Sequence, residues 1–97
     1  MHIGVGRLDL LLPGSHSLKD RRQVARSLTA RIRHQFNVAV AEAPDTQLWQ
    51  RLTLVVCCVS HDADHASEMV SRVASFVEDS RPDLQLLDCQ TEIIAGI

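Results

Sequence analysis

The sequence predicts an α+β fold in which two helices cover one face of a four-stranded antiparallel sheet. Three observations carry that expectation. Stretches of alternating and of helical hydrophobic periodicity follow one another in the order βαββαβ. The order divides into two strand-helix-strand halves. The third strand, residues 51–59, is apolar on both faces, which marks a central strand covered at least partly on both sides. The 97 residues suit a single domain with one core, since a chain of this size hides roughly two-thirds of its unfolded surface.

Each element has its own signal. In residues 3–12, Leu8, Leu10 and Leu12 share one face, while Ile3, Val5, Arg7, Asp9 and Leu11 share the other. Gly4 and Gly6 continue the leucine face, so something should pack close against them. Pro13-Gly14-Ser15 ends this strand, and Ser17 followed by Asp20 predicts a helix N-cap with an acid in the first turn. The helix lays Val24, Ala25, Leu28, Ile32 and Phe36 on the sheet, and Asn37 can end it. Residues 38–42 read as the second strand and residues 43–47 as a loop. In the third strand Leu52, Leu54, Val56 and Cys58 face one way and Val55, Cys57 and Val59 the other.

Ser60 or Asp62 caps the second helix, whose buried stripe is Ala66, Met69, Val70, Val73, Phe76 and Val77. Its outer face, Asp64, Ser67, Glu68, Ser71, Ser75 and Glu78, carries no positive charge. Residues 80–83 form a turn, and residues 84–94 a weakly alternating last strand. Right-handed crossovers then place strands 1 and 3 in the centre and both helices on one face. This is the ferredoxin-like arrangement, with one sheet face left bare.

Composition narrows the function. No segment approaches the roughly 20 apolar residues of a membrane span, so no membrane partner is expected. The N-terminus starts a β-type pattern without a basic and then apolar leader, which points to the cytosol. Cys57, Cys58 and Cys89 lack a C-x-x-C spacing and read as buried thiols. Adjacent Cys57 and Cys58 should point to opposite faces.

Several chemistries lack their residues. Strands 1 and 3 have no aromatic side chains for base stacking in the manner of an RNA-recognition motif. The loop Leu12-Pro13-Gly14-Ser15-His16-Ser17 has neither the cysteine pair of a metallochaperone nor the arginine of an acylphosphatase-like site. His61 and His65, four apart with Asp62 and Asp64 between them, could share a helix face. They read more simply as the exposed start of a helix with dipole-complementing acids. Ser15, His16 and Ser17 are neighbours in a turn with no acid placed to orient the histidine. No catalytic residue, metal or cofactor is predicted.

What remains is charge. Six of the ten Lys and Arg residues lie between Lys19 and Arg33, against one acid, Asp20. At ~100° per residue, Lys19, Arg22, Arg26 and Arg33 fall about 120–180° from Leu28, in one outward sector. Arg21 and Arg31 project nearer the apolar stripe, with stems buried and heads reaching water. The row spans about 21 Å at 1.5 Å per residue, comparable to several phosphate spacings. Planar guanidinium groups suit phosphate. Lys19, Arg22, Arg26 and Arg33 are therefore the candidate nucleic-acid-binding residues, although a line of charge on a helix also serves as ordinary solvated surface.

Ser17-Leu18-Lys19 with Arg22, Arg33 leading to Phe36-Asn37-Val38, Ala41-Glu42, and Leu48-Trp49-Gln50-Arg51 resemble the YlxP-like family of small bacterial proteins of unknown function. The likeness covers essentially the whole chain and is most specific over residues 12–42. It implies a ferredoxin-like fold and a bacterial cytosolic setting, often beside genes for translation initiation and ribosome maturation. It implies no reaction. The sequence departs from the family at Gly6, where members commonly carry a larger apolar residue, and this puts at issue how closely a helix packs over strand 1. Three functions stay open: a module binding RNA or the ribosome through the basic helix, a homodimer or other protein assembly using an apolar patch on the bare sheet face, and an enzyme or regulatory small-molecule domain, which the fold supports but no residue set does.

Overall fold

The computed structural model describes residues 1–43 and 48–96. Its elements are β1 (His2–Leu11), α1 (Leu18–Gln35), β2 (Ala39–Ala43), β3 (Arg51–Ser60), α2 (Ala63–Ser80) and β4 (Gln85–Ile94). The sheet order is β2-β3-β1-β4, and every neighbouring pair is antiparallel. This is the ferredoxin-like βαββαβ topology that the two half-repeats predict. The predicted loop at 43–47 lies outside the described residues except for Ala43, which ends β2.

Local chemistry sets the helix ends. Ser17 Oγ accepts from the Asp20 N–H at 3.0 Å, and Asp20 Oδ2 accepts from the His16 N–H at 2.9 Å, a reciprocal cap. The C-cap of α1 is Phe36 rather than Asn37: Phe36 turns extended while its N–H still reaches the Ile32 carbonyl. Asp62, not Ser60, caps α2, accepting from the Asp64 and His65 N–H groups.

The core lies between the sheet and the two helices. Leu8, Leu10, Leu28, Ile32, Leu52, Leu54, Val56, Val70, Val73 and Val77 are fully buried there. α2 packs close over Gly4 and Gly6. A Cβ added at Gly4 would sit 3.0 Å from the Ala66 carbonyl oxygen, and one at Gly6 would overlap Val70 Cγ1. Gly6 therefore admits α2 tightly onto β1. Phe36 and Phe76 meet edge to face at 5.4 Å and join the two helices.

Two expectations change. No described element covers the second face of β3, because both helices pack into one core on the same side of the sheet; Val55 and Cys57 are half-buried and Val59 is exposed. The weak alternation of β4 has a cause in its register. Asp9 pairs with Asp88 but Leu10 pairs with Leu86, so Leu87 is an extra residue at a bulge. The core-facing positions are even before it (Leu84, Leu86) and odd after it (Cys89, with Ile93 in the same phase). Burial also holds for only one thiol in full: Cys58 is buried, whereas Cys57 and Cys89 are half-buried.

Gly6→Ala is expected to destabilise the protein by about 1–3 kcal/mol in urea unfolding, as overpacking does. In the double variant with Val70→Ala the loss should be smaller than the sum of the two single losses, because the new methyl occupies the space Val70 vacates.

Candidate functional site

The outward face of α1 follows from its inward one. Arg21, Ala25, Leu28 and Ile32 are buried against the sheet, which turns Lys19, Arg22, Arg26 and Arg33 to solvent. Among the described residues none of these four is ion-paired with a carboxylate. Arg22, Arg26 and Arg33 line one groove of about 320 Å3, with Thr29 between them and Val40, Ala41 and Glu42 of β2 as the opposite wall. Lys19 is exposed nearer the start of the helix and does not line the groove. Arg33 is partly committed, since its Nη2 donates to the Val40 carbonyl at 2.8 Å. That bond occupies an acceptor of β2, an edge strand, and leaves the guanidinium with further donors.

Of Arg21 and Arg31, only Arg21 departs from the expectation that both heads reach water. Arg21 is buried. Its Nη1 donates to the Leu48 carbonyl at 3.1 Å and its Nε lies 3.6 Å from Glu42 Oε1. One side chain thus ties α1 to β2 and to the turn before β3, and it draws Glu42 toward itself. Arg31 is exposed, but its guanidinium lies 5.7 Å over the Phe76 ring.

The turn that Arg21 reaches is held at several points. The Arg51 N–H donates to the Leu48 carbonyl at 3.2 Å, the Leu12 N–H donates to the Gln50 carbonyl at 2.7 Å, and Gln50 Nε2 donates to the Pro13 carbonyl at 3.4 Å. Leu48 and Trp49 nevertheless stay exposed, at 63% and 48%. Residue reading alone does not find this site.

Elsewhere the polar residues are used by the fold. Ser15 Oγ donates to the Ser17 carbonyl at 3.2 Å, so the Ser15-His16-Ser17 turn caps α1. A polar groove of about 330 Å3 beside that turn is lined by Asp20, Arg81 and Asp83, among others. Two hydrogen bonds of 3.0 Å tie Arg81 to Asp83 and hold that carboxyl below its ordinary range. Two carboxylates make this groove unsuited to a phosphate. His61 precedes α2 and does not share a helix face with His65, whose Nδ1 lies 3.1 Å from Ser60 Oγ. Among the described residues no group of three or more His, Cys, Asp or Glu is placed to hold a metal ion. Burial pushes the Cys58 thiol up, and its Sγ lies 3.6 Å from the Ala66 carbonyl. On α2, Arg72 adds a positive charge not expected on the acidic surface, paired with Glu68 at 2.6 Å.

The bare sheet face has an apolar corner at one end, opposite the end where Leu11 lies beside Leu48 and Trp49. In that corner Ile3 lies between Val59 and Ile94, and Val5 between Cys57 and Glu92. Further along, Arg7 lies 3.7 Å from Asp9, which accepts from Thr53 Oγ1 at 2.7 Å, and β4 adds Asp88, Gln90 and Glu92.

Fold and residues together define a small α+β protein with a basic helix face, and residues 3–91 match the family described as protein of unknown function (DUF503). The chain belongs to that family. It is similar to the uncharacterized protein YlxP of Bacillus subtilis (strain 168), with 28% identity over 90 residues, covering 93% of this chain and 97% of the relative. The resemblance to the YlxP-like family over essentially the whole chain is thereby borne out. No described helix is long and apolar enough to cross a membrane.

Replacing Arg21 by Met should destabilise the protein by about 1.5–3 kcal/mol in denaturant titrations, the range for a hydrogen bond to a charged group. Exposed Arg26→Met should stay within about 0.5 kcal/mol of the parent.

Proposed function

We propose that the protein is a non-catalytic binding module that docks on structured RNA, on a ribosomal or preribosomal surface, through Lys19, Arg22, Arg26 and Arg33. The observation that carries this reading is the groove where three arginines converge with no carboxylate ion-paired to them among the described residues. Like charges at helical spacing destabilise a helix by a few tenths of a kcal/mol each, and a phosphate-rich partner reverses that term. The family's frequent setting beside translation genes agrees in direction.

Affinity for an rRNA fragment should then fall with salt, with log affinity against log salt sloping about −3 to −4 for four phosphate contacts. Replacing Arg22 and Arg26 by Ala should flatten the slope by about 2. An affinity that ignored salt, or that survived Arg22→Glu with Arg26→Glu, would rule the reading out.

A second reading is self-association through the apolar corner of the bare face. It is favoured by Val59 and Ile94, 64% and 41% exposed on either side of Ile3. This reading expects sedimentation to give a dimer at tens of micromolar that Val59→Glu dissociates; a monomer in the parent protein counts against it.

A further inference from the structure

We infer that Trp49 is a stacking platform for an unpaired nucleobase of the same RNA, seated in the hollow beside it; this inference rests on the RNA-binding reading. The hollow has a volume of about 420 Å3 and is lined by Leu11, Leu48, Trp49, Gln50 and Arg51. Its chemistry matches a nucleotide part by part. The indole offers a flat π-face and Leu11 and Leu48 an apolar floor. The Gln50 carboxamide keeps its oxygen as an acceptor for a base edge, because its nitrogen is the group directed at Pro13. Arg51 is exposed at the rim and suits a phosphate.

The presentation of Trp49 is built into the fold. Arg21, Arg51 and Leu12 all hydrogen-bond to the backbone of this turn, yet Trp49 is left half in solvent. A buried guanidinium that anchors a turn carrying exposed apolar side chains has fixed a contact surface. The same Arg21 belongs to the first turns of α1, so the hollow lies at the end of the molecule where the basic row begins. The exposed Arg51 at the rim gives the hollow a positive group, which favours a ligand carrying phosphate over an apolar protein segment. The platform sits before β3 and not on the sheet, so it differs from the stacking mode that strands 1 and 3 lack residues for.

Trp49 is the only tryptophan, so its emission reports on this site alone. The test uses the full chain with two RNAs, a blunt duplex and the same duplex with a short adenosine overhang. The overhang RNA is expected to quench Trp49 emission saturably and the blunt duplex to leave it nearly unchanged. Trp49→Ala should lose about tenfold in affinity for the overhang RNA, while Trp49→Phe keeps most of it. Both variants should bind the blunt duplex as the parent does, with the same salt slope.

If both RNAs bind but Trp49→Ala is indistinguishable from the parent, the platform is disproved and the basic-row reading stands. Failure of both RNAs to bind removes both. Emission that changes with protein concentration and not with RNA assigns the hollow to a second copy or another protein and overturns the inference. Since Trp49 is outside the buried core, Trp49→Ala should unfold with the parent's midpoint, which separates a binding loss from a folding loss.

Discussion

The pairing of β1 along its length with both β3 and β4 is the constraint on which the architecture depends. It fixes the centre of the sheet. Gly4 and Gly6 then let α2 approach until a side chain at Gly6 would overlap Val70. With α2 over β1, α1 occupies the other half of the same face, over β2 and β3, and its stripe of Ala25, Leu28 and Ile32 meets the core. The outward direction of Lys19, Arg22, Arg26 and Arg33 is a consequence of that packing.

Arg21 links packing to surface. A charge removed from water needs partners, and this one finds the Leu48 carbonyl and Glu42, which lie on two different elements. Satisfying it brings the turn before β3 to the start of α1. It also draws toward Arg21 the one carboxylate that lines the arginine groove, Glu42. The row remains without ion-pair partners among the described residues partly because Arg21 engages Glu42.

Much of this is legible in the residues. Period alone separates helices from strands, and the angular positions of Leu28 and the basic residues predict which face is wet. Arg21 has a local signal too: it falls about 20° from Leu28 at ~100° per residue, inside the buried stripe. Its partners are not legible, because Glu42 and Leu48 come to it through the sheet and not through sequence spacing. The bulge at Leu87 hides in the same way, since an extra residue merely weakens the alternation of β4. Trp49 is the clearest omission. Nothing in its neighbours in sequence says that hydrogen bonds from Leu12 and Arg21 hold its turn while leaving the indole exposed.

The central claim is that the wet face of α1 and the turn before β3 form the ligand surface, and that the apolar corner around Ile3 and Val59 is not where RNA binds. An amide chemical-shift titration of the labelled protein with a short rRNA hairpin tests it most directly. The account predicts shifts concentrated at Lys19, Arg22, Arg26, Arg33 and the Leu48 to Arg51 turn. Shifts concentrated at Ile3, Val5, Val59 and Ile94, or no saturable shifts at all, would contradict it.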